Sequence, residues 1–333
     1  MIVAEPRVPD GPAPVGLAPV VDQLEACFGA RAQRHESLAP RCTYRVGGAA
    51  AVLVTVETSD ELDALAAIVG PAGVPTLVIG RGSNLLVADT GFEGVAVVLG
   101  EGFAGIELGT DALVAGAAAA LPVVARRSAA AGWRGFEWAV GVPGTVGGAV
   151  AMNAGGHGSD MAASLLAAEV VDLTRAGSRG WVGLAELQLG YRSSALGPHQ
   201  IVVRARLGLT RGDRAHAETL IAEIVAWRRA NQPGGPNAGS VFTNPPGDSA
   251  GRLIEAAGAK GLRVGSAEVS NKHANFIQAD PDGSAEDVYA LMGELRRRVL
   301  DVGGPLLEPE TRLIGFSTPL APRVGPAGIP EPR

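Results

Sequence analysis

The segment Ala139–Gly158, AVGVPGTVGGAVAMNAGGHG, has glycine at 141, 144, 147, 148, 155, 156 and 158 and proline at 143. His157 is its only side chain that titrates near neutral pH. A stretch this bare of side chains lets its backbone approach a flat or phosphorylated partner closely, and it tolerates positive φ. The competing reading is a tight crossing of two backbones or a glycine-rich strand bend. A second glycine turn, VIGRGSNLLV (residues 78–87), follows an apolar run. It lacks the third glycine of a dinucleotide fingerprint, no helical pattern starts after it, and no phosphate-loop lysine is present. It reads as a turn whose N–H groups, with Ser83 and Asn84, can form an anion nest. Taken together, the two turns point to a dinucleotide lying between them.

The remainder of the chain frames these loops. Ala51–Val56 reads as a buried strand. Thr58 and Glu61 have capping-box spacing, and Leu62, Leu65, Ala66 and Val69 share a helical face. Short apolar runs broken by glycine continue to about Leu207, with one helix expected at 122–132. Leu220, Ile221, Ile224, Val225 and Arg228 form a helical stripe after a boundary near Thr210. A last helix is expected over 284–300, capped by Ser284 and Asp287, with Val288, Leu291, Leu295 and Val299 inward. A strand at 311–316 ends the pattern, and no internal repeat is present. These patterns divide the chain into a first domain at 17–211, with subdomains at about 17–75 and 76–211, and a second at 212–317. Residues 1–16 and 318–333, rich in Pro and Gly, are expected to be poorly ordered.

A net charge of −6, with no Lys/Arg block, argues against nucleic acid as a partner. Arg296–Arg298 read as a solvated helix face. Two cysteines, Cys27 and Cys42, without CxxC or Cys/His clustering predict neither zinc nor a disulfide. No apolar run spans a bilayer and the N-terminus does not read as a secretory signal, so a cytoplasmic monomer is expected.

Six segments occur in order: IGRGSNLLV, GVPGTVGGAVAMNAG, GYRSSAL, AGSVFTNP, AGAKGLRVGSAEVSNKHANFI and LEPETRLIGF. Together they resemble the UDP-N-acetylenolpyruvoylglucosamine reductase (UDP-N-acetylmuramate dehydrogenase) family from about Thr43 to Phe316. The resemblance implies an α+β fold, with a two-part FAD-binding domain of the vanillyl-alcohol-oxidase (PCMH) type and a C-terminal α+β substrate-binding domain. It implies non-covalent FAD, held by Gly80, Arg81, Gly82, Ser83, Asn84, Gly141, Pro143, Gly144, Thr145, Gly147, Gly148, Asn153, Ala154 and Gly155. NADPH is the implied reductant, and a UDP-sugar enolpyruvyl ether the implied small-molecule substrate.

Reducing that ether takes hydride at C3 and a proton at C2, with negative charge spreading into the carboxylate between the two. The family pattern carries three catalytic roles onto Arg192 as electrophile at the carboxylate, Ser240 as proton donor, and Glu310. Tyr191 and Asn244 match substrate-contacting positions. Read alone, Arg192 is a surface arginine and Ser240 a loop serine, and an ion pair with Arg312 competes for Glu310. Three positions depart from the family pattern: Thr243 stands for a usual Lys, Thr311 for Val, and His157 for Tyr. Lys272 and His273 are expected near the flavin or the UDP group. An FAD-linked oxidase of the same fold and a non-catalytic flavin or nucleotide-sugar binding module are the rival readings.

Overall fold

The computed structural model describes residues 16–175 and 177–320. The expected disorder at 1–15 and 321–333 falls outside them. Helices are α1 (Leu17–Phe28), α2 (Ser59–Ala72), α3 (Leu121–Ala130), α4 (Val146–Ala151), α5 (Leu184–Leu187), α6 (Arg214–Asn231), α7 (Ala250–Ala256) and α8 (Ala285–Asp301). The chain forms two compact units, each built from non-contiguous segments. Among the described residues, the first takes 16–36, 50–81 and 93–230, and the second 37–49, 82–92 and 231–320. These units differ from the boundary drawn at 211/212. Helix α6 groups with the first unit because Ala217 and Ile221 join the core of that unit's larger sheet.

The first unit holds two sheets. One has the order Ala32–Arg34, Ala50–Val56, Phe92–Leu99, Thr76–Ile79, the last two strands parallel. Helices α1 and α2 bury Val20, Val21, Leu24, Leu62, Leu65, Ala66 and Val69 in its core. The four inward residues of α2 are those that the spacing predicts. Its cap is half the expected box: Thr58 Oγ1 accepts from Glu61 N–H, whereas the Glu61 carboxylate takes the N–H of Glu57 and pairs with Arg31. The second sheet has five strands, in the order Gly180–Gly183, Leu165–Asp172, Gln200–Leu207, Leu113–Gly116, Ile106–Leu108. Every pairing in it is antiparallel. Helices α3, α4 and α6 share its core.

The second unit packs α7 and α8 with a small antiparallel sheet over Arg263–Val264, Ala267–Val269 and Ile277–Ala279. A separate parallel pair joins Leu85–Val87 to Arg312–Ile314. Ser284 caps α8 as expected, and Val288, Leu291, Leu295 and Val299 are fully buried. Arg296 corrects the expectation of a solvated face: it is buried, and its Nη1 donates to the carbonyl of Leu320. Arg297 and Arg298 do pair at the surface, both with Glu294. Residues 318–320 were expected to begin a disordered tail. Instead, Leu320 is buried and the Tyr289 hydroxyl donates to Thr318 O. Cys27 is exposed and Cys42 buried, and both are free thiols; burial pushes the Cys42 thiol up to about 11.

Candidate active site

In the first unit, the glycine loop serves both readings left open by the sequence. A Cβ at Gly80 would lie 2.5 Å from Thr145 Oγ1, one at Gly147 2.9 Å from the Ala117 Cβ, and one at Gly141 3.0 Å from the His157 ring. Protein packing alone therefore favours glycine at 80 and 147, whereas a side chain at 141 would need the His157 ring to give by a few tenths of an ångström. The N–H groups of Val146 and Gly147 donate to Ala119 O and Ala117 O, and that of Gly148 to Thr145 Oγ1. These amides already have partners within the protein.

Other parts of the loop remain bare. The N–H groups of Gly144 and Thr145 make no hydrogen bond among the described residues. A Cβ at Gly148 would meet only Thr145 Oγ1, at 3.6 Å, and one at Gly156 would meet nothing within 4 Å. Backbone with unspent donors, beside glycines that leave open space, fits the flat, phosphorylated FAD. Thr145 itself is buried, and Pro143 is exposed at the loop's entry. Arg81 is exposed.

Beyond α4 the chain makes a two-residue hairpin, Gly155–Gly156 against Ser159–Asp160. His157 (φ 52) and Gly158 (φ 82) form its turn, which needs positive φ at both positions. The His157 ring meets Trp227 of α6 edge-on at 5.1 Å. Burial and the Arg228 charge hold its pKa below the ordinary value. Next to this hairpin lies the turn Gly190–Ser193, closed by reciprocal backbone bonds. Tyr191 and Arg192 occupy its apex, with Arg192 left-handed (φ 53) and its guanidinium 5.1 Å from the Tyr191 ring centroid. Arg192 Nη2 donates to Gly155 O at 2.9 Å. Ala154 N–H donates to Ala149 O, closing the end of α4.

The second unit brings together Ser240, Glu310, Asn84 and Asn244. Residues 241–243 run antiparallel to 308–311. Thr243 N–H donates to Glu308 O and Glu310 N–H to Val241 O, and Phe242 bridges Pro309. Asn84 Nδ2 donates to Glu310 O at 3.0 Å and Arg312 N–H to Asn84 O at 3.0 Å. Asn84 therefore props Glu310 from the glycine turn, using the amide that an anion nest would have needed. Ser83 is half-buried. Gly82 is left-handed (φ 58), and a Cβ there would run into Arg41 O.

The Ser240 hydroxyl has no hydrogen-bond partner among the described residues. Burial holds the Arg312 pKa below its ordinary value. Asn244 Oδ1 accepts from Ala250 N–H at the start of α7. His273 is engaged in its own loop: Nδ1 accepts from Asn275 N–H and the ring packs on Phe276. Thr311 is buried, with its hydroxyl unpartnered.

Sequence reasoning missed Asn275. It is 2% exposed; its Oδ1 accepts from Phe242 N–H (3.1 Å) and its Nδ2 donates to Phe242 O (2.8 Å). Its own carbonyl takes the N–H of Val241. A buried amide is held where it satisfies backbone groups on both sides. The only sequence signal was a polar residue inside the apolar run of HANFI. Among the described residues no cluster of His, Cys, Asp or Glu is arranged for a metal, and no helix is long and apolar enough to cross a membrane.

Comparison with known proteins identifies the family. Residues 50–177 match the family model of an FAD binding domain. Residues 230–314 match that of the UDP-N-acetylenolpyruvoylglucosamine reductase C-terminal domain. The UDP-N-acetylenolpyruvoylglucosamine reductase of Rubrobacter xylanophilus is 42% identical over 88% of this chain and 98% of its own. That of Anaeromyxobacter dehalogenans is 44% identical over 86% of each. The crystal structure of UDP-N-acetylenolpyruvylglucosamine reductase from Thermus caldophilus aligns with a TM-score of 0.74 at 39% identity, covering 85% of this chain and 99% of that one. A shared fold, an FAD-binding model and relatives matched over nearly their whole length lead to one conclusion: this chain is an FAD-binding oxidoreductase belonging to the UDP-N-acetylenolpyruvoylglucosamine reductase family.

Proposed function

We propose that the protein reduces UDP-N-acetyl-enolpyruvoylglucosamine to UDP-N-acetylmuramate, a step in making peptidoglycan precursors, at the expense of NADPH. The observation that carries this reading is the hydrogen-bonded ribbon of the second unit, which joins the Ser240 segment to Glu310 and is braced by Asn84. FAD, held without a covalent bond, would supply the hydride needed at C3 of the substrate. The protein's own residues manage the charge that follows. Arg192 meets the substrate carboxylate with its planar fork and stabilises the enolate-like charge that builds there. Ser240 donates the proton to C2. A serine hydroxyl is a weak acid and gives up its proton only to a strongly basic centre, which an enolate carbon is. Glu310 holds the carboxylate end in the required protonation state. Tyr191 and Asn244 contact the sugar nucleotide, and the glycine loop and the Gly80–Asn84 turn hold the cofactor.

Separating the half-reactions tests this. Ser240→Ala should leave NADPH bleaching of the flavin band intact. Anaerobic reoxidation by the enolpyruvyl substrate should slow by ~10²–10⁴-fold, the usual worth of general acid help. Fast reoxidation in that variant would remove Ser240 as the proton donor. Reoxidation by air alone in the unmodified protein would indicate an oxidase instead.

A further inference from the structure

We infer that Asn153 is a positioning residue for Arg192 rather than a cofactor ligand. This rests on the role proposed above for Arg192. Asn153 is 3% exposed and left-handed, with φ 39. Its amide is spent inside the protein. Nδ2 donates to Gly190 O at 2.8 Å and to Asp160 Oδ2 at 3.2 Å, while Oδ1 accepts from Ala162 N–H at 2.9 Å. Gly190 is the first residue of the turn that presents Arg192.

Two further bonds tie the same turn to the same short stretch of chain. Ser194 Oγ donates to Ala151 O at 2.8 Å, and Arg192 Nη2 to Gly155 O at 2.9 Å. Residues 151–155, the exit of the cofactor-facing glycine loop, thus form a template on which the Arg192 turn is clamped at three points. A left-handed arginine at a turn apex has no regular secondary structure to fix it. Such clamps fix the turn that carries it, and Asn153 is the buried one, holding the base of the turn. A planar guanidinium meets a carboxylate with paired bonds only when correctly aimed, and a misplacement of about 1 Å can cost on the order of 10²-fold in rate.

Asn153→Gly deletes the amide while keeping a residue at ease at positive φ. The holoprotein should retain FAD and be bleached by NADPH within about twofold of the parent rate. Its reoxidation by the enolpyruvyl substrate should slow by ~10–100-fold. The decisive measurement repeats the change in an Arg192→Ala background, where it should add less than about twofold, since Arg192 is no longer there to be aimed. Equal losses in both backgrounds overturn the inference, as does a loss of FAD or of NADPH bleaching as large as the loss of reoxidation. Ser194→Ala, on the other side of the turn, should show the same selective slowing more weakly. It carries the test if Asn153→Gly fails to fold, and unchanged reoxidation in it would then count against the clamp. An inert Arg192→Ala would instead strike down the arginine's own role, and the reason for positioning it.

Discussion

Asn153 and Asn275 are both almost fully buried, and each holds backbone beside a residue assigned to chemistry, but they do so differently. Asn153 spreads its amide over three groups on two segments: the Gly190 carbonyl, and the Asp160 carboxylate and Ala162 N–H. Asn275 spends both ends of its amide on one residue, taking the N–H and the C=O of Phe242 as a neighbouring strand would. The first clamp is a node that fixes a turn. The second extends a ribbon that is also held by the Glu310–Val241 and Thr243–Glu308 backbone bonds. A node should matter most for aim, and a ribbon partner most for stability.

The largest expected effect on folding tests that distinction. Asn275→Ala orphans two backbone groups around a fully buried Phe242. At ~1–3 kcal/mol for each unsatisfied group, the unfolding free energy should fall by ~2–6 kcal/mol, read from denaturant midpoints. If Asn275→Ala costs no stability yet slows substrate reoxidation, the two asparagines act alike and the contrast fails. Asn275→Asp keeps an acceptor for Phe242 N–H but buries a carboxylate against the Phe242 carbonyl, and at pH 7 should cost at least as much as Asn275→Ala.

A smaller change sharpens the picture on the same ribbon. The Thr311 hydroxyl is buried without a partner, so Thr311→Val should stabilise by ~1 kcal/mol and leave both half-reactions unchanged. A loss of stability would mean that the hydroxyl is satisfied in solution. The smallest effect lies away from both clamps. Arg31, with help from the Glu57 N–H, holds the Glu61 carboxyl down to about 2, against an ordinary 4.5. A carboxyl lowered in the folded state stabilises above its unfolded value and loses that contribution as pH falls toward the folded one. Glu61→Gln should therefore lower the thermal midpoint at pH 7 by about 1–2 °C. The gap should close as pH drops from about 4.5 to 2, and a gap that persists below pH 2 would contradict the pairing.

What the sequence made legible follows from locality. The inward faces of α2 and α8 recur at helical spacing and carry their own caps, so Leu62 and Leu65, or Val288 and Leu291, could be read without knowing their neighbours. The six motifs identified the family, and with it the residues to inspect. The amide clamps stayed hidden because their partners are backbone groups, which leave no trace in side-chain spacing. Asn153 read as a cofactor residue because it sits in a glycine motif, yet its amide faces Gly190, far along the chain. Arg296 read as solvated because arginine usually is; the terminal segment that covers it gave no apolar signal beyond Leu320. The boundary near Thr210 came from a change in composition, whereas packing assigns α6 to the first unit.

The parallel pairing of Leu85–Val87 with Arg312–Ile314 sets a timetable. Leu85 leaves the ribosome early and must wait for Arg312, about two-thirds of the chain later, before its edge is satisfied. Closing so long a loop carries an entropic penalty that grows with the logarithm of its length, and such distant contacts form late. The Gly82–Asn84 turn, among the first parts of the second unit to be synthesised, is therefore among the last to acquire its final shape.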